Sequence, residues 1–205
     1  PYSLFDGKDY ASMSSSDPDK YKFIEYHKWK FKAKIFSPLA PLTVKRTPVL
    51  MTRVEYGFLG SYNKYKKSPF ETFYMGGDGM SGYSSTYATE TIGLRGYENG
   101  SIAGNGGYNS YGYAYSRLSM ELRYPFLLEP SSTIYGLVFV EAGNAWRDLK
   151  DFNPFQLKRS AGVGVHIFLP MIGLMGIDWA YGFDRPDGYD QRGGSNFHFI
   201  IGQEF

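Results

Sequence analysis

One arginine, Arg95, stands in the middle of the longest stretch of the sequence that does not alternate like a β-strand. The ten residues around it, 91–100 (TIGLRGYENG), place it between glycines and next to Gly96 and Tyr97. Two single acidic residues, Glu121 and Glu141, follow on later predicted strands. A guanidinium that leaves bulk water needs carboxylate partners, and its planar fork suits two of them. This pattern predicts an ion-paired anchor that holds the loop, and the alternative is a solvated loop arginine.

Other chemistry has weaker support in the sequence. The histidines His27, His166 and His198 fall on different predicted strands without the spacing of metal ligands, so we expect no metal site. His166 or His198 would in principle serve a serine hydrolase, but nothing indicates an activated serine. The phosphate-binding pattern GxxxxGK[ST] does not occur. We therefore expect a protein that is not an enzyme and needs no cofactor.

The composition favours a membrane β-barrel. The 205 residues include 25 Gly, 19 Tyr, 16 Phe and no Cys, and the mean hydropathy is −0.36. No apolar run approaches the roughly 18 residues that a membrane helix requires. Barrel strands alternate apolar and polar residues, which keeps the mean hydropathy low, and aromatic residues collect at the membrane interfaces. The net charge of +2 is too small to indicate a nucleic-acid partner.

Seven segments alternate with a period of two and each has one face free of charge, as strands with one apolar side do. The first has Trp29 and Phe31 on one face and four lysines on the other. These lysines line the lumen if the apolar face meets lipid, or contact lipopolysaccharide phosphates if the facing is reversed. The predicted strands are residues 25–36, 49–60, 111–124, 133–143, 160–169, 173–181 and 196–205.

The lengths of the connections alternate. Residues 37–47, 125–132 and 169–172 form short connections, and 61–110, 144–158 and 183–195 form long ones. Antiparallel outer-membrane barrels have short periplasmic turns and long external loops, whereas a soluble β-sandwich has no reason to separate them this way. The sequence predicts an all-β, transmembrane antiparallel β-barrel, with the long loop folded into its lumen.

Seven strands alone would leave two unpaired edges in lipid, which the cost of unpaired backbone groups forbids. We therefore expect further strands, and any periplasmic domain, ahead of residue 1. Residues 1–20 are polar and rich in turn residues, and we expect them to form a surface loop. The chain, 1–205, is then the C-terminal part of a transmembrane barrel domain.

Several segments in this order resemble one known family: 70–77 (FETFYMGG), 94–97 (LRGY), 119–122 (SMEL), 140–146 (VEAGNAW), 162–170, 177–183 and an aromatic C-terminus. Together they resemble the C-terminal half of BamA-type outer-membrane assembly factors, over about residues 20–205. The resemblance implies a sixteen-stranded barrel, of which these are the last seven strands. It also implies periplasmic POTRA domains that this chain does not contain.

The resemblance also assigns residues. Arg95, Gly96 and Tyr97 match the arginine-glycine-aromatic motif of the sixth extracellular loop, and Glu121 and Glu141 match the acidic wall residues that this arginine meets. Alternation independently places both glutamates on the inner faces of their strands.

The last strand carries the second set of predicted site residues. Phe197, Phe199, Ile201 and Phe205 alternate and end in an aromatic residue, as the recognition signal of barrel clients does. Gly202 has no side chain to hold the strand and tolerates a kink. In the family the first and last strands pair weakly, and a client strand adds to the opened seam by β-augmentation.

The expected function is the folding and insertion of β-barrel proteins into an outer membrane, with the chain crossing that membrane several times. The resemblance implies unfolded barrel clients, accessory lipoproteins of a BAM complex, and outer-membrane lipid and lipopolysaccharide as partners, in a Gram-negative cell. A two-partner secretion transporter of the same superfamily is the first alternative. A passive porin or a barrel enzyme is a more distant one, which the loop motif disfavours.

Overall fold

The computed structural model describes residues 1–14, 16–41, 43–44, 46–79, 90–102 and 111–202, and the fold of these residues is all-β. Seven strands form one antiparallel sheet in which the strands are neighbours in chain order. Two further short strands pair in parallel in a second, small sheet. The strands are β1 (Tyr26–Pro38), β2 (Val49–Ser61), β3 (Phe73–Met75), β4 (Glu90–Ile92), β5 (Ala114–Glu129), β6 (Ser132–Trp146), β7 (Lys158–Leu169), β8 (Gly173–Gly182) and β9 (Gly194–Gly202), of which β3 and β4 form the small sheet.

The two faces of the large sheet differ as the alternation predicts. On the outer face, Trp29, Val138 and Phe197 expose 69%, 57% and 66% of their surface. On the inner face, charged side chains such as Glu121 and Asp178 are buried. A strand with one apolar exposed face and one polar covered face suits a barrel wall between lipid and lumen. The predicted all-β antiparallel barrel fold is confirmed.

The structure also shows which face of β1 carries its lysines. Lys28 lies on the inner face, where its Nζ is 2.8 Å from Glu71 Oε2 and 2.9 Å from Glu90 Oε2 of the long connection. Lys30 is two residues further along the same face and lies 3.1 Å from Glu90 Oε1. Lys28 and Lys30 therefore contact the loop on the inner face of the sheet.

The connections alternate in length as predicted. They are residues 39–48, 62–113, 130–131, 147–157, 170–172 and 183–193. The hairpin between β5 and β6 is tighter than predicted, because β5 continues through Pro125 instead of ending before it. A register shift between Pro125 and Leu127 accommodates the proline, which has no N–H to give to the ladder.

The helical structure of the described residues consists of short 3₁₀ turns, at Tyr2–Leu4, Pro18–Tyr21 and Leu149–Asp151. The first two lie in the segment predicted as a surface loop. Parts of that segment are packed: Ser3, Tyr10 and Lys20 are buried, and Lys66 Nζ lies 4.8 Å from the centre of the Tyr10 ring. Across the described ranges, none of the helical segments has the length and apolar character to cross a membrane.

The long connection between β2 and β5 folds back onto the inner face of the sheet. Its short strands β3 and β4 bury Phe73, Met75 and Ile92, which pack with Leu59 of β2 and Tyr115 of β5. Full burial of one large apolar side chain contributes about 1.5–3 kcal/mol, so this cluster alone favours the folded-back position. The sequence did not predict β3 and β4, because alternation is not visible in segments of three residues.

Candidate functional site

Arg95 is the centre of a buried ion cluster. Its Nη2 lies 2.5 Å from Glu121 Oε1 and 2.8 Å from Glu141 Oε1, and its Nη1 lies 2.8 Å from Asp178 Oδ2. Only 6% of the arginine surface is exposed. The three carboxylates come from β5, β6 and β8, so one side chain of the loop connects three strands of the wall.

The loop backbone is held at the same place. The backbone N–H of Arg95 donates to Glu141 Oε2 over 2.9 Å, so this carboxylate binds both the main chain and the side chain of one residue. The guanidinium carbon lies 3.5 Å from the centre of the Phe139 ring, which is buried in β6. A planar cation over an aromatic face is stabilised by the ring quadrupole. Position and orientation of the arginine are therefore both fixed.

Each carboxylate of the cluster has a second partner, which compensates for its loss of water. Arg117 donates to Glu141 over 2.8 Å, and Arg123 donates to Glu121 through two nitrogens, at 2.9 and 2.7 Å. His166 Nε2 lies 2.9 Å from Asp178 Oδ1, and its Nδ1 lies 3.1 Å from the Tyr135 hydroxyl. The cluster is thus a connected network of three arginines and three carboxylates.

Gly96 fits a position that a larger residue would strain. Its φ is +88°, and a Cβ there would lie 2.9 Å from the Gly182 nitrogen and 2.9 Å from the Ser160 Cβ. Its N–H donates to His198 Nε2 over 2.8 Å, and its carbonyl accepts from Asn196 Nδ2 over 3.1 Å. The loop backbone therefore touches the wall directly at this residue.

Tyr97 completes the motif. Its side chain is fully buried and its hydroxyl donates to the carbonyl of Arg159 over 2.6 Å. The same hydroxyl accepts from the backbone N–H of Asp184 over 3.3 Å. Burial raises the pKa of Tyr97 to about 12, so the hydroxyl keeps its proton at neutral pH and can donate. Tyr97 thereby ties the loop to the start of β7 and to the connection after β8.

The glycines of β7 and β8 make room for this network. A Cβ at Gly164 would collide with the Asp178 carboxylate, and a Cβ at Gly176 would collide with the ring of His166. Because both positions are glycine, the aspartate and the histidine lie flat against the neighbouring strand. The glycines on the inner faces of β7 and β8 therefore form the surface against which Asp178 and His166 pack.

Comparison with known proteins places the chain in a family. The model described as the Omp85 superfamily domain matches residues 20–205. The chain belongs to the Omp85 superfamily. A comparison with curated proteins gives no match.

The fold of this Omp85 chain occurs in solved structures. One of them is the crystal structure of BamA from Haemophilus ducreyi lacking POTRA domains 1–3, with a TM-score of 0.59 and 20% sequence identity. The match covers 86% of this chain and 35% of the BamA chain, so this chain spans about a third of that protein's length. The predicted resemblance to BamA-type proteins is confirmed, and superfamily membership assigns the barrel segment to an outer membrane.

The structure of this Omp85 chain brings the loop motif and its two predicted wall partners together. Arg95, Gly96 and Tyr97 lie against the wall, with Glu121 and Glu141 at the guanidinium. The predicted seam residues are elsewhere: Phe197, Phe199 and Ile201 point outward and are 66%, 56% and 67% exposed. Gly202 has a φ of +109°, which ends the extended backbone of β9, and Phe205 lies outside the described residues.

Sequence reasoning missed three contacts of this site in the Omp85 chain. Asp178 is the third carboxylate at Arg95, His166 supports Asp178, and His198 binds the backbone of Gly96. The available signal was their position on the inner faces of their strands. In the described part of the chain, no group of three or more histidines and acidic residues has an arrangement that could hold a metal ion. The geometry is that of an anchor for a loop.

Proposed function

We propose that this Omp85 chain is part of an assembly factor that folds and inserts β-barrel proteins into the outer membrane, beside strand β9. The observation that carries the proposal is the seating of Arg95 on three carboxylates. An arginine held this way fixes the long loop on the inner face, where the loop takes up lumen space. A porin requires free passage of solutes through its lumen, and a fixed loop there obstructs that passage. The arrangement therefore favours a function carried out at an edge of the sheet.

The chemistry of β9 supports the same proposal. It is the end strand of the seven-stranded sheet and pairs with β8 on one side. The other edge of a strand in such a position presents N–H and C=O groups to which an extended client segment can add. Its outward side chains Phe197, Phe199 and Ile201 suit lipid contact, and Gly202 limits how far regular pairing extends. Phe205 belongs to the same proposed seam.

The proposal includes partners. The clients are unfolded outer-membrane β-barrel proteins, and the surroundings are outer-membrane lipid and lipopolysaccharide. In the full protein, a barrel of sixteen strands that crosses the membrane many times, POTRA domains on the periplasmic side and accessory lipoproteins complete the machine. The free energy comes from the folding of the client, without a cofactor or bond-making catalysis. We propose no nucleic-acid partner.

Complementation tests the proposal. Cells depleted of the native protein receive the parent gene, the Arg95→Ala variant or the control Arg147→Ala, which removes an exposed arginine of the 147–157 connection. The folded fraction of a client barrel is then measured by its heat-modifiable migration. We expect Arg95→Ala to be present in the membrane but to assemble clients several-fold more slowly than the parent, because its loop is no longer fixed. Arg147→Ala should match the parent.

Normal client assembly by Arg95→Ala would contradict the proposed role of the loop. Reconstituted vesicles separate the remaining candidates. Protein that releases a secreted partner across the vesicle membrane, while it assembles no barrel client, would be a two-partner secretion transporter instead.

A further inference from the structure

The last strand holds both backbone polar groups of Gly96. His198 accepts from the Gly96 N–H over 2.8 Å, and the Asn196 amide donates to the Gly96 carbonyl over 3.1 Å. Asn196 and His198 are two residues apart on β9, so their side chains point to the same face. His198 is only 6% exposed, which limits competition from water for its hydrogen bond.

The hydrogen bonds of Gly96 and the ion pairs of Arg95 reach different strands. The three carboxylates lie on β5, β6 and β8, and each of these strands is paired on both sides. In contrast β9 pairs with β8 alone among the described strands, over nine residues. Within the described sheet, two hydrogen bonds to the loop are therefore a larger share of the contacts of β9 than the same two bonds would be on an inner strand.

Backbone packing brings the two elements close enough for these bonds. A Cβ on Gly182 would lie 2.3 Å from the carbonyl oxygen of Gly96, and a Cβ on Gly193 would lie 2.5 Å from it, so both positions require glycine. The Asn196 amide also donates to the Gly193 carbonyl over 2.8 Å, immediately before β9 begins. One side chain thus connects the entry of β9 to the tip of the loop.

We propose that Asn196 and His198 form a clamp that couples the seating of the loop to the position of the edge strand β9. When the loop leaves, β9 loses two anchors, and when β9 moves, Gly96 loses both of its backbone partners. The clamp deepens the proposed function and rests on it, because β9 is the strand beside which a client would add. Both residues act by positioning the loop and the strand.

Substitutions at Asn196 and His198 test the clamp. Asn196→Asp keeps the size of the side chain but replaces the donor by a carboxylate oxygen that faces the Gly96 carbonyl. A backbone N–H can only donate, so Nε2 of His198 must accept. His198→Gln keeps an acceptor near that place and His198→Ala removes it.

Hydrogen exchange measured by mass spectrometry on the detergent-solubilised or vesicle-reconstituted protein provides the readout. For Asn196→Asp and for Asn196→Asp/His198→Ala we expect faster exchange in two places, the amides of β9 and the Leu94 amide, which bonds to Gly77. The increase should be about tenfold for the double variant, mainly from the loss of the two hydrogen bonds to Gly96. Amides of β5 and β6 should exchange as in the parent, which shows that the sheet is folded. His198→Gln should retain most of the parent protection.

Ser195→Ala is the matched control. Its hydroxyl accepts from Trp179 Nε1 over 2.8 Å, so the variant also removes one hydrogen bond of β9, but to β8 instead of to the loop. We expect the Leu94 amide to be unaffected. Coupling is also reciprocal, so Arg95→Ala should accelerate exchange in β9.

The clamp is wrong if the double variant exchanges like the parent in β9 and at Leu94, or if Ser195→Ala releases the loop equally well. No client takes part in this measurement, so the result does not depend on the proposed function. Coupled exchange together with normal client assembly by the double variant and by Arg95→Ala would keep the clamp and reject the assembly role.

Discussion

Two ion clusters hold the same loop, and they differ in exposure. The stem cluster joins Lys28 and Lys30 of β1 to Glu71 and Glu90 of the loop, and its side chains are between 14% and 41% exposed. The tip cluster joins Arg95 to Glu121, Glu141 and Asp178, and its side chains are at most 8% exposed. Distances are similar in both, so geometry alone does not rank them.

Exposure gives the two clusters different roles. Water and salt weaken an exposed ion pair, which typically contributes about 0–1 kcal/mol. Removing one partner of a buried pair costs about 3–5 kcal/mol, because the charges left behind lack water. The residue types agree with this division, since lysine suits a hydrated contact and arginine a planar buried one. The tip cluster therefore fixes the loop, and the stem cluster only supports it.

The largest effect is expected for Arg95→Ala. It leaves three wall carboxylates without their central cation, and we expect the seated state of the loop to lose about 3–5 kcal/mol. Limited proteolysis within residues 90–102 should become much faster, while cleavage in the 147–157 connection stays unchanged. Equal cleavage rates in parent and variant would mean that the apolar cluster around Phe73 holds the loop without the arginine.

An exchange of cation types sharpens the comparison. Arg95→Lys keeps the charge but replaces a planar fork by one ammonium, which cannot keep the contacts to all three strands, and we expect a loss of about 2 kcal/mol. Lys30→Arg makes the opposite change in the stem cluster and should stay within about 0.5 kcal/mol of the parent. Loop protection by hydrogen exchange measures both. The division between the clusters fails if the two substitutions have the same effect.

Gly96→Ala tests the backbone at the tip. The methyl group meets the Gly182 nitrogen at 2.9 Å in a backbone with φ of +88°, and we expect a cost of about 1–3 kcal/mol with partial release of the loop. Gly7→Ala is the control, because its φ is +67° and a Cβ there meets nothing within 4 Å. Thermal unfolding of Gly7→Ala should show only the smaller destabilisation that a Cβ causes at a positive φ. If both variants melt alike, the contact with Gly182 has no energetic importance.

The smallest effect is expected in the stem cluster and depends on pH. Burial alone would raise the pKa of Glu90, but Lys28 and Lys30 outweigh it and the pKa lies below its usual value of 4.5. A carboxyl whose pKa is lowered by folding stabilises the protein above its unfolded pKa, and that stabilisation is lost as the pH falls through the folded pKa.

The Glu90→Gln variant makes this contribution visible. We expect it to melt slightly below the parent at neutral pH, by an amount worth under about 1 kcal/mol, and the difference to shrink as the pH falls and to disappear once the pH is below the lowered pKa of Glu90. A difference that persists unchanged in acid would show that the charge of Glu90 is not its cause.

Sequence alternation predicted which side chains face inward, and this was enough for most of the fold. It placed Glu121, Glu141 and Asp178 on inner faces, because one period-two pattern sets the direction of every residue in a strand. It did not predict that Asp178 lies at the same height along the barrel wall as Arg95, within reach of its guanidinium. That height follows from the pairing register of β7 and β8 and from the path of a long irregular loop, which no local pattern encodes.

The interpretation of the motif as an anchor came from one arginine, two glutamates and a family resemblance. The backbone contacts were not predictable in the same way. Hydrogen bonds from Asn196 and His198 to Gly96 join residues about a hundred positions apart, and they depend on glycines at 182 and 193 that allow close approach. A glycine in a strand indicates that something comes near, without indicating what.

The electrical balance of the tip cluster has a consequence for ion flow. Arg95, Arg117 and Arg123 carry three positive charges, and Glu121, Glu141 and Asp178 carry three negative ones, so the set is neutral while the loop is seated. Withdrawal of the loop takes Arg95 away and leaves the wall one negative charge in excess. Withdrawal also parts Glu71 and Glu90 from Lys28 and Lys30 of β1, so an ion that enters the uncovered lumen meets an acidic wall at β5, β6 and β8 and a basic wall at β1.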